Sequence, residues 1–106
     1  MTLDTTLSMR ENTAVIALNG DLDAVTAPLF QNQAERAALH RPERLVLDMR
    51  ELGYLSSAGL RQLVYARQKM DDDVHVVLVG ANEQVTQVIR LVGFEQSVTF
   101  SDDMPE

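Results

Sequence analysis

The chain changes repeatedly between the two-residue period of strands and the 3.6-residue period of helices. Residues 3–9 alternate loosely between apolar and polar side chains, and residues 14–18 do so again after the polar turn 10–13. The second segment is expected to end at Asn19-Gly20, because both residues favour turns. The pattern predicts an N-terminal hairpin.

Three further strands are predicted from short apolar runs at 45–47, 74–79 and 98–100. The run at 45–47 is uninterrupted, which is typical of a central strand covered on both faces or nearly so. Helical segments separate these runs from one another, so parallel pairing is expected.

Helices are predicted over three segments with an apolar stripe. Thr26 is expected to cap the first helix, with Pro28 in its first turn, and this helix ends before Arg41. The second helix covers 57–70, and Gly93 stops the third. The predicted inward faces are Phe30, Ala34, Ala37 and Ala38; Leu60, Leu63, Val64 and Met70; and Val85, Val88, Ile89 and Val92.

The resulting order is β-β-α-β-α-β-α-β, which predicts one α/β domain over residues 1–100 with packed helices and a mostly parallel open sheet. Residues 101–106 are expected to form a flexible tail. In a parallel sheet the loops that follow the strands meet at one edge, where such folds place their sites. Residues 20–23, 53–57 and 80–82 are therefore expected to share one surface.

The amino-acid composition limits the kinds of molecule that the protein is expected to bind. The formal net charge is −7, from 16 acidic and 9 basic residues. Such a surface repels phosphates, so neither nucleic-acid binding nor attachment to an anionic membrane is expected. There is no cysteine, which excludes disulfides and thiolate zinc sites. With no leader and no apolar run of membrane-spanning length, the expectation is a cytoplasmic protein that binds other proteins.

Catalytic motifs are incomplete in this sequence. Ser57 with Gly59 resembles half of a nucleophile elbow, but Leu55 stands where the first glycine is needed. The two histidines, His40 and His75, are not positioned by the sequence as a base for this serine. No hydrolase activity is expected, and no catalytic residue is assigned.

Nucleotide and metal sites are also incomplete. Five residues, not four, separate Gly53 from Gly59, and no Lys-Ser/Thr pair follows, which excludes a Walker loop. Asp21 and Asp23 precede a helix, whose dipole favours negative charge there. No metal and no cofactor is expected, while weak nucleotide binding at the loop edge stays open.

Ser56 and Ser57 stand where the second helix begins, and two interpretations remain open at this point. Either hydroxyl can cap the helix by accepting a bond from a free backbone N–H. A helix N-terminus is also a favourable position for a phosphate group. Gly59 in the first turn costs up to about 1 kcal/mol relative to alanine, which indicates that something approaches the backbone closely.

Two segments resemble a known family. The segment LVLDMRELGYLSSAGLRQL resembles the signature of STAS domains, specifically of bacterial anti-sigma factor antagonists: a strand ending in Leu-Asp, a turn of small residues and a Ser-x-Gly-Leu helix start. The segment ALNGDLDAVTAPLF is similar to the family's Gly-x-Leu-Asp loop before a Thr-Ala-x-x-Leu/Phe helix. The order of strands and helices also agrees along essentially the whole chain.

The resemblance implies a partner switch. In the family, the serine matching Ser57 is phosphorylated by an anti-sigma factor that is also a serine kinase, and a PP2C-type phosphatase removes the phosphate. The unphosphorylated protein binds the kinase, which then releases its target. Many members have Asp before this serine and Ser after it, where this chain has Ser56 and Ala58, so Ser56 is the second choice for modification.

The resemblance also implies a docking surface around Asp23, which matches the family's loop aspartate. Its expected members are Asp21, Asp23, Ser56, Ser57, Ala58 and Gly59. The alternative function is a constitutive STAS-type accessory subunit of a membrane transporter ATPase, which needs no phosphorylation. The sequence does not identify the kinase partner, the oligomeric state or the controlled output, whether a sigma factor, a secretion system or another signalling pathway.

Overall fold

The strands lie in one sheet in the order in which they occur along the chain. The computed structural model describes residues 2–105, which form five strands, three α-helices and one 3-10 helix. Strands β2 to β5 are parallel, and β1 pairs antiparallel with β2 as the predicted hairpin. The elements are β1 Leu3–Arg10, β2 Thr13–Leu22, α1 Ala27–Leu39, β3 Arg44–Leu55, α2 Ser57–Lys69, β4 His75–Val79, α3 Glu83–Leu91, the 3-10 helix Phe94–Ser97 and β5 Thr99–Ser101.

The order of the strands determines on which face of the sheet the helices pack. Because each parallel strand is added next to the previous one and crossovers are right-handed, all three helices pack on the same face of the sheet. Alternate strand residues such as Ile16, Leu47 and Leu78 belong to this main core, together with Phe30 of α1 and Ile89 of α3, and each is at most 1% exposed. The core thus lies between the sheet and a single helical layer.

The opposite face, here called the helix-free face, carries a smaller apolar cluster. Val46, Val77 and Val79 are buried there, with Val15 and Met104 packed against them. The prediction that residues 45–47 are buried on both sides is therefore confirmed, although no helix among residues 2–105 covers the second side. The flexibility of 101–106 stays a prediction, and Glu106 lies outside the described residues.

The second strand is longer than predicted. It continues through Asn19-Gly20 to Leu22, because a register shift on either side of this pair lets pairing with β3 resume. Gly20 has φ +125°, and a Cβ there would collide with the carbonyl oxygen of Thr2. The residues predicted to end the strand therefore form an irregularity within it.

The third predicted helix ends earlier than its apolar stripe. Val85 and Ile89 are buried as predicted, but Val92 is 61% exposed, so its inward assignment was wrong. The reason is that α3 ends at Leu91 and Gly93 takes the left-handed conformation, with φ +76°. The unpredicted 3-10 helix then carries Phe94 into the core.

No helix within residues 2–105 has the length and apolar character needed to cross a membrane. The same residues hold no group of three or more His, Asp or Glu side chains arranged to bind a metal ion.

Candidate functional site

The ends of β2 and β3 meet directly beside the start of α2. Leu22 pairs with Leu55, and the Ser56 N–H donates a 3.0 Å hydrogen bond to the Leu22 carbonyl. Strand β3 continues to Leu55, so the loop expected over 53–57 is reduced to one residue between strand and helix. This junction of Leu22, Leu55 and Ser56 fixes where α2 begins.

The two serines have different structural roles. Ser56 is the N-cap of α2: it has an extended backbone (ψ 175°), and its Oγ accepts a 3.1 Å bond from the Gly59 N–H. Ser57 is the first helical residue, its side chain is exposed, and within residues 2–105 its hydroxyl has no hydrogen-bond partner. The capping interpretation therefore belongs to Ser56, and the hydroxyl of Ser57 is accessible.

Gly59 is required by contacts inside the protein. It is buried, and a Cβ at this position would collide with the carbonyl oxygen of Leu22 and lie 2.9 Å from Leu55 Cδ1. The close approach predicted from this glycine is thus made by the end of β2. The first turn of α2 packs directly on strand backbone, which a larger residue would prevent.

Asp23 and Thr26 hold the turn before α1. The carboxylate Oδ1 of Asp23 accepts bonds from the Val25 N–H at 2.9 Å and the Thr26 N–H at 3.0 Å, while Thr26 Oγ1 accepts from the Asp23 N–H at 3.0 Å. The predicted side-chain cap by Thr26 on α1 was wrong: no such bond forms, and its hydroxyl bonds the turn, including a 2.7 Å bond to the Asp21 carbonyl. These N–H donors, above all that of Thr26, lower the pKa of Asp23.

The other expected docking residues surround the same junction. Asp21 is half-buried in β2, paired with Tyr54, and its carboxylate lies beside Gly53. Ala58 is half-buried in the first turn of α2. Asp23 is only 9% exposed, because its carboxylate faces its own backbone. Among the six expected residues, Ser57 is therefore the one that is exposed.

Side chains from the start of α3 support the end of β3. Pairing of β3 with β4 ends at Asp48, so the later residues of β3 lack a strand on that side. Gln84 takes its place: its Oε1 accepts from the Leu55 N–H at 3.1 Å, and its Nε2 donates to the Leu55 carbonyl at 3.0 Å. Asn82 Nδ2 donates to the Leu52 carbonyl at 3.1 Å. The 80–82 loop was predicted to reach this edge, but the role of Gln84 was not.

Three large apolar side chains near the junction are exposed: Val25 at 79%, Leu29 at 51% and Tyr54 at 41%. No periodicity separates these residues from core positions, because each occurs next to a buried neighbour. Where exposed apolar side chains form a contiguous patch, such a patch is typical of a protein-binding surface.

This arrangement defines an α/β domain with a helix N-terminus, a free serine and exposed apolar side chains at the ends of its parallel strands. The chain belongs to the STAS domain family, because the sequence profile of that family matches residues 5–106. It is 24% identical over 92 residues to the anti-sigma-F factor antagonist RsfB of Mycobacterium tuberculosis, covering 87% of this chain and 75% of RsfB.

Solved structures share the fold. An anti-sigma factor antagonist from Mycobacterium paratuberculosis superimposes with a TM-score of 0.89 at 21% identity, covering 97% of this chain and 88% of that one. The Bacillus cell fate determinant SpoIIAA in its phosphorylated form gives a TM-score of 0.72 at 15% identity, covering 94% and 93%. The STAS fold predicted from the sequence is confirmed.

Replacing Gly59 by alanine tests the junction. We expect Gly59→Ala to lower the free energy of unfolding by about 1–3 kcal/mol, because the added Cβ collides with strand backbone that has no room to move. Gly53→Ala is the matched control, since a Cβ there has its nearest neighbours at 3.6 Å. Chemical denaturation measures both, and equal effects at the two glycines would contradict the proposed packing.

Replacing Asp23 by asparagine tests its ionised carboxylate. The folded pKa lies below the ordinary value of 3.8, so the charge stabilises the fold above that pH and the benefit is lost as the pH falls through the folded pKa. We expect the melting temperature of Asp23→Asn to lie below that of the parent at about pH 6, and the difference to shrink at about pH 2.5. Glu35 and Asp48, whose pKa values are also lowered, are present in both proteins and cancel in the comparison. A difference independent of pH contradicts this role.

Replacing Gln84 by alanine tests the support of β3. The change leaves the N–H and carbonyl of Leu55 without their partners, so we expect amide exchange of Leu55 to accelerate by about tenfold or more. Gln84→Glu keeps an acceptor for the N–H and is expected to give a smaller effect. Exchange followed by NMR measures both, with the amide of Val46 as the internal reference. Unchanged exchange at Leu55 would rule out this support.

Proposed function

We propose that this protein is an anti-sigma factor antagonist controlled by phosphorylation of Ser57. In its unphosphorylated form it binds an anti-sigma factor that is also a serine kinase, and this binding frees the kinase's target. A PP2C-type phosphatase reverses the modification. The proposal assigns no catalytic residue to the chain itself. The relative RsfB and the anti-sigma factor antagonists that share the fold support the class of function.

The main support for the proposal is that the two serines differ in structural role. Ser56 supplies the cap that α2 needs, so Ser57 is free of a structural hydrogen bond and exposed. A kinase must reach the hydroxyl that it modifies, and only Ser57 of the pair meets this condition without breaking the cap. The phosphorylated form of SpoIIAA, with the same fold, is consistent with a phosphate on such a domain.

A phosphate at this position is compatible with the fold. Phosphoserine adds about −1.5 to −2 charges, which the unpaired N–H groups and dipole of a helix N-terminus stabilise. Arg61 is exposed one turn further along α2, at the i+4 spacing at which side chains of opposite charge interact. The modification is therefore expected to leave the domain folded.

The effect of the phosphate is instead expected at the docking surface. Val25, Leu29 and Tyr54 provide apolar area that a partner would bury. A phosphate beside them must lose its hydration when the partner docks, which is costly unless the partner supplies a matching cation. Phosphorylation thus weakens binding without a change of conformation.

Serine variants test the proposal in the cells that naturally produce the protein. We expect phosphopeptide mass spectrometry to find a phosphate on Ser57 that changes with growth and stress conditions. Ser57→Ala is expected to abolish it with little change in stability. Ser56→Ala, the matched control, is expected to keep the phosphate while losing about 1 kcal/mol of stability through the missing cap.

The outcomes separate the competing interpretations. A phosphate confined to Ser56 would move the switch by one residue. No phosphate under any condition contradicts the switch and favours the constitutive transporter subunit, which co-purification with an ATPase would reveal. Ser57→Asp is expected to weaken binding to the kinase partner at an unchanged melting temperature, and an unfolded variant would contradict the mechanism.

A further inference from the structure

A groove lies on the helix-free face at the edge of the sheet opposite to Ser57. It has a volume of about 290 Å³. Its position is set by the starts of β2 and β3, whereas Ser57 follows their ends. Its lining residues are Arg10, Glu11, Thr13, Val15, Arg44, Val46, Met104 and Pro105. The groove is therefore separate from the docking surface of the proposed function.

The strand register brings two cations to this groove. Arg10 pairs with Thr13, and Thr13 pairs with Arg44, so the three side chains share one face of the sheet. The two arginine Cα atoms are separated by two strand spacings, about 10 Å, across which two long side chains can reach one anion. Within residues 2–105 neither guanidinium forms an ion pair or a side-chain hydrogen bond.

The charged side chains of the lining favour a ligand with a single negative charge. Among the lining residues that the structure describes, Arg10 and Arg44 contribute two positive charges and Glu11 one negative charge, a sum of +1. This local excess is opposite in sign to the protein's formal charge of −7. A dianion would leave one of its charges uncompensated and would face Glu11, whereas a carboxylate matches the site.

Apart from Thr13, the uncharged side chains of the lining are apolar. Val15 is half-buried on the sheet surface above the fully buried Val46, and Met104 packs on the same cluster as a wall from the C-terminal segment. At about 30 Å³ for each water-sized atom, the volume accommodates roughly ten non-hydrogen atoms. This is the size of a carboxylate with a short hydrocarbon chain.

We propose that this groove binds a small amphipathic monocarboxylate, with its carboxylate between Arg10 and Arg44 and its hydrocarbon chain against Val15 and Met104. The ligand needs both a charged and an apolar part, because the groove offers cations at one end and apolar side chains at the other. Charge alone would suit any small anion, and apolar surface alone would suit any hydrocarbon. Their combination favours a ligand that has both parts.

Octanoate is the test probe, because it has ten non-hydrogen atoms. Titrated into the isotope-labelled full chain, it is expected to shift the NMR amide signals of Val15, Arg44 and Met104 together. Acetate lacks the chain and 1-octanol lacks the charge, and each is expected to bind at least fivefold more weakly. Equal binding of octanoate and 1-octanol overturns the proposal, as do shifts centred on Val25 and Tyr54.

Arginine variants provide the second readout. Arg44→Gln is expected to weaken octanoate binding at least fivefold, and Arg10→Gln to do the same, since each removes one of the two cations. Arg36→Gln on the exposed face of α1 is the matched control and should leave binding unchanged. Thermal melts verify that each variant is folded. Unchanged binding in both groove variants overturns the proposal, and because none of these residues touches Ser57, either result leaves the phosphorylation test unaffected.

Discussion

The carbonyl group of Leu22 is the point on which the site depends. Its oxygen accepts the N–H of Ser56 and lies against Gly59, so the end of β2 determines both where α2 begins and how closely the helix approaches the sheet. A burial this tight tolerates only glycine at position 59. Once α2 is held there, the geometry leaves Ser56 to cap the helix and Ser57 to face outward. The accessible hydroxyl is thus a consequence of strand-to-helix packing.

The end of β3 is also held in place by contacts from a neighbouring element. Beyond Asp48 this strand no longer pairs with β4, and an unsupported strand edge beside the start of α2 would be more mobile. Gln84 and Asn82 replace the missing strand with side-chain amides, which have the donor and acceptor geometry of a peptide group. Helix α3 therefore contributes to the rigidity of a site that it does not line. Its N-cap, Asn82, serves two elements at once, because its Oδ1 also accepts the Val85 N–H at 2.9 Å.

The sequence predicted the features that periodicity encodes and missed those set by tertiary contacts. Element order, the hairpin and the clustering of three loops at one edge follow from apolar period and right-handed crossovers. The extension of β2 through Gly20 was missed, because a glycine within a strand irregularity has the same local signal as a turn. The role of Asp23 as a partner contact stays a prediction, but the bonds from its carboxylate to the turn were not foreseen, because they depend on side-chain rotamers that no pattern reports. The pairing of Gln84 with Leu55 joins residues 29 apart, beyond the reach of local spacing.

The division between structural and exposed groups is what the proposed switch requires, because a phosphate on Ser57 must change binding while the fold persists. The hydrogen bonds at the junction come from backbone groups, the Ser56 hydroxyl, the Asp23–Thr26 turn and Gln84, and Ser57 contributes none of them. A modification of Ser57 therefore removes no interaction that holds α2 in place. Its free-energy cost arises only when a partner covers the site and the new charge must be dehydrated. The proposed switch would therefore act through the surface, and the rigidity of the junction beneath would keep that surface the same with and without the phosphate.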